Sequence, residues 1–149
     1  MTPDTNTSPS VSLHDLLQRV ERATGGDREL DAAICEALFG VKVDRKGNPA
    51  SWGVWTIARF EYPEGGDVEA EAFDRLAPYT ASLDAALALV ERVLPGARSM
   101  TERASDGSGW AMVQATFAGL REMADGATPA LALLAAMLKA LIAQGEGHE

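Results

Sequence analysis

The apolar positions of the chain follow two periods, and the switch between them divides it into helical and extended segments. Leu13, Leu16, Leu17 and Val20 recur at helical spacing while Asp15, Arg19 and Arg22 point away, the signature of an amphipathic helix. Ser12 stands at its N-cap, and Asp15 three residues on gives a capping-box-like start. Thr24, Gly25 and Gly26 are expected to end it, since glycine accepts the left-handed conformation of a helix C-cap. Asp27 caps a second helix with a buried stripe of Leu30, Ile34, Ala37 and Leu38, and Gly40 is its stop. So short a turn predicts two helices packed as neighbours.

After Gly40 the period shortens. Val41 to Val43 is β-branched, and residues 44–48 read as a turn. Residues 52–62 are rich in aromatic and β-branched side chains and predict a strand. Pro63 to Asp67 breaks it, and 63–78 reads as a loop with room for one helical turn, anchored by Val68, Phe73 and Leu76. Thr80 or Ser82 caps the next helix, with Asp84 in its first turn, where a carboxylate meets the positive end of the helix dipole. Its core face is Leu83, Ala86, Leu87, Val90 and Leu94, and Pro95 with Gly96 terminates it.

Residues 97–104 and 110–118 predict a hairpin joined by 105–109. On the second strand Ala111, Val113, Ala115 and Phe117 alternate with Trp110, Met112, Gln114 and Thr116. One face is wholly apolar and the other mixed, as in a sheet whose better-covered side carries helices. Thr128 then caps a last helix with Pro129 at its first position, where a missing N–H costs nothing. Leu131, Leu134, Leu138, Leu141 and Ile142 run down this Ala-rich segment to Gln144. The whole predicts an α+β domain over residues 11–144, a small mainly antiparallel sheet with helices on it, between disordered tails at 1–10 and 145–149.

Composition narrows the role more than the architecture. A chain of 149 residues, 46% apolar and 23% charged, fits one globular domain. Its net charge of −9 opposes binding to extended nucleic acid or anionic lipid, both of which need Lys and Arg to displace counterions. Nucleic-acid mimicry wants dense carboxylate runs, whereas residues 69–75 intersperse acids with Ala, Phe and Arg, so the charge reads as solubility. The longest apolar stretch, 129–143, is too short for a bilayer and is interrupted by Lys139. The first ten residues have neither the basic region nor the apolar core of a signal peptide or presequence. Cys35 is the single cysteine, so no internal disulfide forms and a cytoplasmic setting is expected. The nearly continuous apolar surface of the last helix predicts burial on two sides, and with it a homo-oligomer.

No residue set suggests catalysis. His14 and His148 stand too far apart for metal-ligand spacing, and Cys35 beside Ile34 reads as a core residue rather than a nucleophile. The Gly107-Ser108-Gly109 run joins two strands and lacks the strand-turn-helix elbow of a nucleophilic serine. No phosphate-cradling Gly-rich loop leads into a helix. Asp27, Glu29 and Asp31 read as a solvated helix start. No enzyme activity, cofactor or metal is expected.

Binding rests on aromatics and arginines. Trp52, Trp55 and Trp110 serve either packing or as a stacking platform for a planar ligand. Arg59, Arg98 or Arg103 would meet phosphate, and Tyr79 or Thr80 would supply hydrogen bonds. The candidate ligand-binding set is Trp52, Trp55, Arg59, Tyr79, Thr80, Arg98 and Trp110. Arg98 and Glu102 share one strand face and Arg103 lies on the other, so one surface cannot use all three arginines.

The stretch from Pro78 to Val90 resembles a segment of bacteriophage and prophage proteins of the phage ABA sandwich domain family. The helix start from Ala127 to Leu133 is similar to theirs, as is the N-terminal helical pair over residues 20–34; residues 40–77 and the hairpin match only in outline. The order of these segments is more specific than any one of them. The resemblance implies an α/β/α sandwich and a phage or prophage source, and it brings no catalytic or binding residues. It leads to the expectation of a phage accessory binding protein that sequesters a small nucleotide-like host immune signal in the host cytoplasm. The alternative is a protein-interaction or assembly module of a phage.

Overall fold

A computed structural model describes residues 12–44, 56–58, 74–115 and 120–146. The expected tail at 1–10, the turn at 45–48, and the larger parts of the 52–62 strand and the 63–78 loop lie outside these residues. Helix α1 spans Leu13–Arg22, with the Ser12 hydroxyl accepting the Asp15 N–H at 3.1 Å. It buries Leu16 and Val20 and ends at Ala23 in an extended conformation. The expected glycine cap is therefore corrected: neither Gly25 nor Gly26 has positive φ. Gly26 is small for another reason, since a Cβ there would lie 2.7 Å from the Cβ of Ala81.

Helix α2, Arg28–Phe39, begins at Asp27, whose carboxylate accepts the Leu30 N–H at 3.1 Å, and stops at left-handed Gly40. Strands β1 (Lys42–Asp44), β2 (Thr56–Ala58) and β3 (Asp74–Arg75) then pair antiparallel in that order. β3 falls within the stretch expected to be a loop; Asp74 and Arg75 pair with Ile57 and Thr56 instead. Helix α3, Leu83–Val93, takes Ser82 rather than Thr80 as its cap, the hydroxyl accepting the Ala85 N–H at 3.1 Å.

The second sheet holds the predicted hairpin, β4 (Arg98–Arg103) and β5 (Gly109–Ala115), and a third strand, β6 (Leu120–Gly126), antiparallel in the order β4-β5-β6. The sequence pattern did not announce β6. Of its residues only Ala124 is buried, so it carries almost no alternating apolar signal. Helix α4, Pro129–Glu146, is capped by the Thr128 hydroxyl, which accepts the Leu131 N–H at 3.2 Å.

α4 is the centre of the molecule. One side lies on the inner face of the second sheet, where Ala111, Val113 and Ala115 are buried, and other sides meet α1 and α3. Leu131, Leu133, Leu134, Met137 and Leu138 are all fully buried. Two glycines let the helix start this close to the strands: a Cβ at Gly109 would fall 2.4 Å from the Pro129 backbone, and one at Gly126 2.6 Å from the Ala132 nitrogen. The two-sided burial expected of α4 is thus met inside a single chain, so this helix gives no reason for an oligomer. No described helix is long and apolar enough to cross a membrane.

Candidate functional site

Trp52, Trp55 and Arg59 lie outside the described residues. The other four members of the predicted ligand set divide between two places: Tyr79 and Thr80 turn into the interior, whereas Arg98 and Trp110 lie on the outer face of the β4-β5-β6 sheet.

The interior place is a polar junction between the start of α2 and the turn before α3. Asp31, expected to be solvated, has no exposed surface. One carboxylate oxygen accepts the Thr80 N–H at 2.8 Å and the Thr80 hydroxyl at 2.7 Å; the other accepts Arg28 at 2.7 Å. Arg28 also donates to the Leu76 carbonyl at 2.7 Å, and the Thr80 hydroxyl accepts the Asp27 N–H at 2.8 Å. Burial raises the Asp31 carboxyl above its ordinary value, while the Thr80 bonds and the Arg28 charge pull the other way. Tyr79 is buried nearby, and burial, then the neighbouring Cys35, raises its phenol. With its hydroxyl and N–H engaged in this way, Thr80 clamps two segments together. Cys35 is buried, as a core residue should be.

The outer place is a surface. On the face of the sheet opposite α4, cross-strand register makes three rows. Glu102, Trp110 and Asp125 form the first; Met100, Met112 and Met123 the second; Arg98, Gln114 and Arg121 the third. Directly opposed residues share a face, and alternate residues of a strand repeat on it. Met100 is 51% and Met123 49% exposed, and Trp110 and Met112 are half-buried. The described helices lie on the other side, so among the described residues the layers run sheet, helix, helix and not in the α/β/α order that the resemblance implies. An apolar band of methionine and tryptophan is thus framed by carboxylates at one end and guanidinium groups at the other. Half of this arrangement is legible in the alternation along β5; the rows need β6.

A cleft of about 410 Å³ lies where the β4-β5 turn meets the first residues of α3 and α4, lined in part by Thr80, Leu83, Arg103, Thr128 and Pro129. Arg103 brings a cation there, as the strand parity required, on the face away from Arg98. Among the described residues no group of three His, Cys, Asp or Glu is placed to hold a metal. No protein-family model, curated protein or solved structure matches the chain.

Proposed function

We propose that the protein works by binding a protein partner through the outer face of the β4-β5-β6 sheet, without catalysis. The observation that carries this reading is the exposed methionine row with Trp110 at its edge. Methionine is flexible and polarisable, suits adaptable contact surfaces, and is costly to leave in water as a contiguous group. Tryptophan and arginine are the residues that most often dominate interface energetics. The resemblance to phage ABA sandwich proteins supports a phage or prophage accessory or assembly role in a host cytoplasm.

The test is a photoreactive amino acid placed at position 112 in the full chain, with position 19 on the polar side of α1 as control. After irradiation in the source cell or an infected host, protein adducts are expected from 112 and not from 19. Adducts equally frequent at both positions, or at neither, would overturn the reading.

A second reading, sequestration of a small nucleotide-like anion, is favoured by one feature, the cleft beside Arg103 into which α3 and α4 begin. Arginine pairs with phosphate, and helix N-termini attract negative charge. A thermal-shift screen with cyclic nucleotides and ADP-ribose derivatives tests it. A saturating ligand at a hundred times its Kd adds about 2.7 kcal/mol of stability, so an unmoved melting temperature with all of them removes this reading.

A further inference from the structure

We infer that the partner for the outer sheet face is a second copy of this chain, docked face to face about a two-fold axis that runs across the strands above the methionine row. The inference rests on the reading of that face as a binding surface and adds the identity and orientation of its occupant.

The charge pattern selects this geometry. Rows of a strand face are spaced about 7 Å and neighbouring strands about 4.8 Å. A two-fold axis across the strands reverses the order of the rows and leaves β4 over β4 and β6 over β6. Arg98 then faces Glu102 of the second copy, and Arg121 faces Asp125 of the second copy. Met100, Met112 and Met123 each meet their own equivalents, and Trp110 lies over Gln114. A two-fold axis along the strands would instead put Arg98 over Arg121 and Glu102 over Asp125, like charge on like. Only the first arrangement joins opposite charges at all four corners, and an isologous interface of this kind must be self-complementary.

Two further observations agree. Among the described residues none of the four corner charges has an ion-pair partner within its own chain, so docking breaks no existing pair. Three of the five methionines of the chain stand in one cross-strand row, where a two-fold superposes apolar on apolar. Aligned sheets pack with a rotation of about 30°, which moves the corner groups by about 4 Å, within the reach of an arginine side chain.

The size of the face sets the strength. Three strands of six or seven residues offer roughly 350 Å² per copy by strand spacing and rise, below the range of stable specific interfaces and in that of weak, transient ones. Each copy also carries a net charge of −9, which opposes association. The dimer is therefore a weak and rapidly reversible one, populated only at high protein concentration.

Charge reversal tests the register directly. Sedimentation equilibrium of the full chain across a wide concentration range is expected to give a monomer–dimer isotherm. Arg98→Glu with Arg121→Glu places acid against acid at all four corners and weakens the dimer by about tenfold or more. Adding Glu102→Arg and Asp125→Arg exchanges the signs of the two end rows and returns the affinity to within about threefold of the parent. All four charged positions concerned are exposed, and far-ultraviolet circular dichroism with melting curves verifies that each variant folds. An equal mixture of ¹⁴N and ¹⁵N chains carrying the photoreactive group at 112 supplies the second readout, since mixed-isotope adducts arise only between copies. A chain monomeric up to millimolar concentration, a dimer indifferent to the reversal, or a four-site exchange that fails to rescue would each overturn the inference. Adducts from 112 to a different protein, with a monomeric chain, would overturn the homodimer and leave the binding face standing; no adducts at all would remove both.

Discussion

At the scale of single residues, two positions set the tolerance of the fold. Gly109 and Gly126 lie under the first turn of α4, and at Gly109 a methyl group would enter the Pro129 backbone at 2.4 Å. Gly109→Ala must therefore push the helix from the strand, and is expected to cost about 1–3 kcal/mol by overpacking, seen as a lower urea midpoint at unchanged slope. Asp31 is the second. Its carboxylate accepts three bonds without exposed surface, and Asp31→Asn, which turns one acceptor into a donor facing Arg28, is expected to cost about 1–3 kcal/mol. The pH dependence follows from the direction of its shift. The folded-state value lies above the ordinary carboxyl value of 3.8, so the folded chain holds this proton more tightly than the unfolded one. The stability this linkage contributes is full below pH 3.8 and is lost as pH rises through the folded value. Urea titrations of parent and Asp31→Asn are expected to show the parent's advantage shrinking with rising pH over that window. An advantage that grows instead would refute the shift.

At the scale of elements, caps and apolar stripes were legible because their signals are local. Ser12, Asp27, Ser82 and Thr128 all accept the N–H three residues on; position before an apolar-periodic run marks Ser12, Asp27 and Thr128, and leaves Ser82 as one of two candidates with Thr80. Thr128→Ala is accordingly expected to lower stability by about 1 kcal/mol, measured by the same denaturant curves. Non-local pairing was not legible. β6 is a strand because β5 lies beside it, register Ala111 to Ala124, and its own residues are too polar to say so. The Asp31–Thr80 bond joins positions 49 apart, and no local pattern marks such a partner; what was visible was only an acidic helix start and a threonine before a helix. The candidate site suffered for the same reason. Trp110 and Arg98 were singled out by type, but their neighbours Met123, Arg121 and Asp125 come from the unforeseen strand.

At the scale of the whole molecule, the described residues are arranged one-sidedly about the β4-β5-β6 sheet. α4 takes the inner face of the β4-β5-β6 sheet, and α1 and α3 cover α4 in turn, so helix stacks on helix behind the sheet. This leaves three methionines in one outer row while Met137 is fully buried in α4. Peroxide oxidation converts a methionine thioether to a polar sulfoxide at a rate governed by access. Met100 and Met123, about half exposed, are expected to oxidise first and Met112 later. Met137 should follow only as fast as the native structure opens, read residue by residue from peptide masses over time. Denaturing urea should erase the ordering. Because the three outer residues share one surface and Met137 belongs to another, their protection also separates association from stability. Raising the protein concentration without denaturant should slow Met100, Met112 and Met123 together and leave Met137 unchanged, since a copy seated on the sheet face shields a row and not the core. Equal slowing at all four positions would point to peroxide depletion or global stabilisation instead, and Met137 reacting as fast as Met100 in dilute native solution would contradict the central burial of α4.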